Sequence, residues 1–136
     1  MKFEFNFLRK EMINENDNKD TTYGSRIAAN NTKQRLRRIA CRTAHEWLDK
    51  SDEVFEQFHE KHRCDVFVVL YPPKDYVYDP PNYSATSKVI IDGLTDAGIW
   101  SDDNKNIIRR TSFEHGRLSG DTKMWKVDLV VKVVEG

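Results

Sequence analysis

Several things the chain has little of limit what it can be. Two cysteines, Cys41 and Cys64, are too few for a disulfide scaffold and suit a reducing compartment. The longest apolar run, Val66 to Tyr71, has 6 residues, far short of the ~20 a membrane helix needs. Net charge is absent, 22 basic residues standing against 22 acidic ones, which argues against a protein that coats nucleic acid through bulk charge. The opening MKFEFNFLRKEM has neither the apolar centre nor the cleavage site of a secretory signal, so a cytoplasmic protein with no membrane partner is expected. No internal repeat or low-complexity segment is present.

The residues that are there can build a core. Hydrophobic residues make up 38% and charged ones 32% of 136 residues, a size and balance that predict one small compact domain over 1–136. Charge is segregated along it. Between Arg26 and Arg42 lie Arg26, Lys33, Arg35, Arg37, Arg38 and Arg42 with no acid among them, whereas Asp49 to Glu60 is acidic. A local basic face is expected despite the neutral total.

Phe3, Phe5 and Phe7 alternate with Lys2, Glu4 and Asn6, the period of a half-buried strand over 2–8. Glu11 to Gly24 is rich in Asn and Asp and predicts an exposed loop. Asn31 to Lys50 predicts a helix with Leu36, Ile39, Ala40, Ala44, Trp47 and Leu48 on one stripe and Arg35, Arg38 and Arg42 on another. Ser51-Asp52-Glu53 reads as the cap of a second helix whose apolar face is Val54, Phe55 and Phe58. Cys64–Tyr71 is β-branched and aromatic and is stopped by Pro72-Pro73, so it reads as a strand. A third helix is expected over 84–97, with Ile90, Ile91 and Leu94 at helical spacing and Gly98 past its end. Asn106 to Phe113 and Met124 to Val134 read as a final hairpin, Trp125, Val127, Leu129, Val131 and Val133 sharing one face. The sum is an α/β fold, a mixed β-sheet packed against helices.

The stretch Asp79 to Asp103, DPPNYSATSKVIIDGLTDAGIWSDD, carries the chemistry. It sets an acid before the third helix, Lys88 in its early turns and the pair Asp102-Asp103 beyond its end. That helix is about 20 Å long, so the acids at its two ends meet only if the flanking chain folds back along it. Converging carboxylates would make a hard oxygen site for Mg²⁺ or Mn²⁺, which can activate water for phosphodiester hydrolysis. Residue by residue, the plainer reading is that Asp79 is a turn residue, Lys88 a solvated helix side chain and Asp102-Asp103 a polar turn. Cys41, His45, His59, His62 and Cys64 contain no CxxC or HxxxH pair and read as thiols beside surface histidines, not as a zinc site. Trp100 and Trp125 read as core.

The run from Lys88 through Asp92, Leu94, Ala97-Gly98 and Trp100 to Asp102-Asp103 resembles the signature of RusA-like Holliday-junction resolvases: Lys, Asp four residues later, then Leu, Ala-Gly, an aromatic and Asp-Asp. Ala28 to Trp47 also resembles the Asn-then-Arg-rich helix that opens phage and prophage members. The resemblance implies a homodimeric, Mg²⁺-dependent endonuclease, with Mn²⁺ as a substitute, that cuts four-way DNA junctions in recombination and repair within a bacterial cytoplasm. It implies Asp79, Lys88 and Asp103 as catalytic residues, Asp79, Asp103 and Asp102 as metal ligands, and Lys33, Arg35, Arg37, Arg38, Arg42 and Asn82 as contacts to DNA. Pro81 stands where the family has a middle acid. A junction-binding protein of the same fold with weakened catalysis is the alternative reading.

Overall fold

The computed structural model describes residues 1–14, 22–52 and 54–135. In it the phenylalanine alternation of Lys2–Leu8 becomes strand β1, with Phe3, Phe5 and Phe7 buried and their neighbours Lys2, Glu4 and Asn6 exposed. Helix α1 follows at Tyr23–Lys50, then β2 at Cys64–Tyr71, helix α2 at Ser84–Asp96, β3 at Ile108–His115 and β4 at Met124–Val133. These strands form one mixed four-stranded sheet in the order β1-β4-β2-β3. The helices pack on the face that carries Phe3, Val66, Val68, Leu70, Val127 and Leu129, and the core lies between. This is the small α/β domain that the sequence predicts.

Helix α1 starts eight residues before the expected Asn31, because Thr22 caps it by accepting a hydrogen bond from the Ser25 N–H. Its 28 residues make it about 42 Å long. Leu36, Ala40 and Ala44 are its buried residues, and Tyr23 and Ile27, 80% and 44% exposed, sit on its projecting first turns. Where α1 crosses α2 the closest approach is at Gly93: a β-carbon there would sit 2.4 Å from the Arg37 carbonyl oxygen and 2.6 Å from Ala40 Cβ.

Three expectations are corrected. Among the described residues between Ser51 and β2 no helix forms, and Ser51 instead ends α1 by donating its N–H to the Trp47 carbonyl. The backbone near Phe58 is committed to the chain beyond α2, Phe58 N–H to Ile99 and Ser101 N–H to Phe58, so a helical ladder cannot claim those groups. Glu53 lies outside the described residues. The expected loop 11–24 is anchored where it starts. Met12 is buried, and Ile13 exchanges two 2.7 Å hydrogen bonds with the Thr86 hydroxyl of α2; residues 15–21 lie outside the described residues. The last two strands are not a hairpin. β3 pairs parallel to β2, and β4 inserts antiparallel between β1 and β2. Burial explains the order. β4 hides Trp125, Val127, Leu129 and Val131 and takes a central place, whereas β3, with Arg109, Arg110 and Glu114 exposed, is the charged strand that tolerates an edge.

Candidate functional site

The chain enters the site through Asp79, which is exposed and precedes a short 3₁₀ turn, Pro80–Tyr83. Its carbonyl accepts the Asn82 N–H at 2.9 Å, and its side chain makes no cap bond. Helix α2 follows directly. Ile90 and Leu94 face the core with no exposure, which leaves Lys88 and Asp92 on the opposite, solvent-facing side, one turn apart.

The reversal after α2 is what builds the site. Gly98 takes a φ of +82°, a left-handed conformation that glycine adopts without steric cost. Gly98 and Ile99 then donate their N–H groups to Thr95 and Leu94, closing the helix. Ile99 and Trp100 drop into the core, and the indole N–H of Trp100 donates to the Thr95 hydroxyl at 2.6 Å. The chain so pinned runs back along α2 and delivers Asp103 to Lys88. The ammonium donates to Asp103 Oδ2 at 2.7 Å and to Asp92 Oδ1 at 3.1 Å. Asp102 orients its neighbour by accepting the Asp103 N–H at 2.8 Å. Asp103 is thus part of a folded-back cluster and not a loose polar turn.

Hydrogen bonding to Lys88 holds the Asp103 carboxyl below its usual range, and the same bond raises Lys88 above its own. The charge network continues into α1. Arg37 makes a two-pronged contact with Asp96, at 2.6 and 2.8 Å, which lowers the Asp96 carboxyl, and the Asp92 charge also acts on Arg37. Alternating charges therefore run from α1 along α2 to the returning chain.

The sequence groups the basic residues of α1 together, and the structure divides them. Arg35 reaches back to Glu11 at 2.7 Å and Arg37 is held by Asp96. Lys33, Arg38 and Arg42 are exposed and make no ion pair among the described residues. Lys33 lies roughly 140° around the helix from Arg38, so Arg38 and Arg42, one turn apart, are the pair that shares a side. Asn82 is half-buried in the 3₁₀ turn.

Asp79, Asp102 and Asp103 do not form one cluster: among the described residues no three His, Cys, Asp or Glu side chains gather in a way that holds a metal. An all-protein cage is therefore not what the residues offer. Magnesium, however, keeps much of its water and takes one or two carboxylates together with substrate phosphate, a habit that the neighbouring acids Asp102 and Asp103 fit. Cys41, His45 and Cys64 likewise contribute to no such group. Cys64 is a core thiol whose pKa burial pushes up to about 12.

One feature near Asp79 was not anticipated. Tyr76, Tyr78, Tyr83 and Trp125 line a cleft of about 350 Å³, with the Arg9 guanidinium 5.4 Å from the Tyr83 ring centre. The only signal for it in the sequence is the tyrosine spacing in DYVYDPPNY, since Arg9 and Trp125 arrive from β1's end and β4. Trp125 and Trp100 are buried, as expected of core residues.

No protein-family model matches the chain, and no curated protein matches it.

Proposed function

We propose that the protein is a Mg²⁺-dependent, structure-selective endodeoxyribonuclease that acts as a homodimer on four-way or otherwise branched DNA, the activity that its resemblance to RusA-like resolvases implies. The observation that carries the reading is the Lys88–Asp103 contact of 2.7 Å between groups fifteen residues apart, which requires the return of the chain along α2. A helix lysine serving only as solvated charge does not need a carboxylate delivered to it from beyond the helix end.

Asp103 with Asp102 would hold the metal together with water and substrate phosphate, without Asp79, which does not gather with them. Bound there, magnesium supplies charge to polarise the scissile phosphate and lowers the pKa of water. The chain's own contribution is electrostatic. Lys88 sits over Asp103 in the resting protein, and its ammonium has a second carboxylate, Asp92, that keeps it in place when a phosphate oxygen replaces Asp103 as its partner. Arg38 and Arg42 supply phosphate contacts on α1, so that a neutral protein can hold a polyanion.

The test is cleavage of a labelled synthetic four-way junction against linear duplex, with Mg²⁺, with Mn²⁺ and with chelator. Paired symmetric nicks that chelator removes are expected. Junction binding without cuts in either metal would overturn the enzymatic reading. It would favour the junction-binding alternative, which Pro81 in the place of a middle acid and the missing three-acid cluster support. The same binding assay checks the basic face. Arg38→Ala with Arg42→Ala should weaken binding and lower the slope of log K against log salt by about 2, at ~0.9 per lost phosphate contact. An unchanged slope would place the DNA elsewhere.

A further inference from the structure

The acid that anchors the proposed metal site already has a cation on it. Lys88 Nζ stands 2.7 Å from Asp103 Oδ2, and the Asp103 side chain is only 21% exposed, so the ammonium and an incoming cation compete for one carboxylate charge. Asp102 does not relieve the competition. Its Oδ1 accepts the Asp103 N–H at 2.8 Å and its Oδ2 accepts the Asn104 side-chain amide at 3.2 Å, which turns both oxygens toward their own loop. A divalent cation at this pair therefore depends first on Asp103. Lys88, for its part, has a second berth. Asp92, one turn along α2, takes the same ammonium at 3.1 Å, and the lysine side chain is 63% exposed, with room to swing outward.

We infer that Lys88 gates metal loading: in the DNA-free protein it occupies Asp103 and keeps divalent cations weakly held, and a DNA phosphate draws it off, so that DNA and metal each tighten the binding of the other. The inference rests on the proposed function and adds to it the order in which that site fills. The charges give the reason. Without DNA, one ammonium serves two carboxylates, Asp92 and Asp103. A phosphate brings a third anion and no cation. The ammonium then sits between the phosphate and Asp92, and Asp103 is left to a divalent cation that the phosphate also attracts. Coupling of this kind is reciprocal: the factor by which DNA raises the affinity for metal is the factor by which metal raises the affinity for DNA. A water-activating ion is thereby seated together with its substrate and not ahead of it.

Mn²⁺ binding to the full chain without DNA, followed by loss of the free-ion electron paramagnetic resonance signal, tests the gate apart from cleavage. Lys88→Met, which removes the competitor, should bind Mn²⁺ about 10-fold more tightly than the wild type, a usual size for coupling between sites. Lys105 is the control: it is exposed, lies two residues beyond Asp103 and makes no ion pair among the described residues. Lys105→Met removes the same charge and should leave Mn²⁺ affinity within about 2-fold, because an exposed charge away from the carboxylate is screened. Junction binding gives the reciprocal half. With Ca²⁺ as the probe cation and ionic strength held constant, wild-type affinity for a labelled four-way junction should rise several-fold, and the rise in Lys88→Met should be smaller. If Lys88→Met loses the native circular dichroism spectrum, the wild-type response to Ca²⁺ decides alone. Equal Mn²⁺ affinity of wild type and Lys88→Met, an equal gain from Lys105→Met, or a wild-type junction affinity that Ca²⁺ does not raise would overturn the gate. Any of these, in a protein that still makes chelator-sensitive nicks, leaves the nuclease standing. The expected shifts in a protein that binds junctions and cuts none would keep the gate and refute the nuclease.

Discussion

Asp103→Asn is expected to abolish Mg²⁺-dependent junction cleavage, a loss of about 10²-fold or more, while junction binding holds or tightens. The amide keeps the shape of the side chain but gives up the negative charge a metal needs, and it removes one repulsion against the DNA phosphates. Lys88→Met should also reduce cleavage by about 10²–10³-fold, the usual cost of deleting one preorganised charge at a developing anion. Its second readout separates position from catalysis. Lys88 is what lowers Asp103, so in Lys88→Met the Asp103 carboxyl, followed by ¹³C NMR, should titrate at higher pH than in the wild type. The pair's pH window follows from the two directions. Asp103, held below 3.8, contributes to stability above that pH and loses the contribution as pH falls through its lowered value. Lys88, held above 10.5, contributes below that pH and loses its part as pH rises through its raised value. Both side chains are intact and paired across the neutral range in which the cleavage assay is run. Full cleavage by Asp103→Asn would remove Asp103 from the active site.

Gly93→Val is expected to cost about 3 kcal/mol of stability, the upper part of the range for overpacking a tight contact. A first added carbon would already stand 2.4 Å from a backbone oxygen of α1 and 2.6 Å from Ala40 Cβ, and valine adds two more carbons to that crowded crossing. Backbone cannot rotate away as a side-chain tip can, so α1 has to shift bodily off α2. The urea midpoint should fall with little change in slope. Because Arg37 bonds Asp96 from this crossing, the displacement should also break that pair and separate the basic helix from the Lys88 cluster. Gly93→Ala should show the same effects at smaller size. A Gly93→Val protein as stable as the wild type would mean that the helices do not cross this closely in solution.

The elements whose burial follows a simple period were readable from the chain. β1 declared itself by three alternating phenylalanines and β2 by a β-branched run ended by two prolines. α2 did so by Ile90, Ile91 and Leu94 ahead of Gly98. Each of these signals is local. The segment after Ser51 misled because Val54, Phe55 and Phe58 have a helix-like spacing, while the backbone partners of Phe58, Ile99 and Ser101, lie more than forty residues away. The last two strands misled for a similar reason. Consecutive strands usually pair, and only the competition for central and edge places in the sheet separates β3 from β4.

By itself the sequence determined which residue types could do chemistry, that an acid pair follows a lysine-bearing helix after a glycine, and that six bases crowd one stretch with no acid among them. Tertiary structure decided which of them meet. Lys88 and Asp103 are joined because Gly98 turns the chain and buried Trp100 pins it against α2. Arg35 and Arg37 are drawn to Glu11 and Asp96, and Arg38 and Arg42 are left to the solvent, because a helix shows each side chain to a different neighbour. A pattern along a chain reports what local geometry can satisfy alone; an ion pair across fifteen or fifty-nine residues depends on where the whole core has placed two backbones.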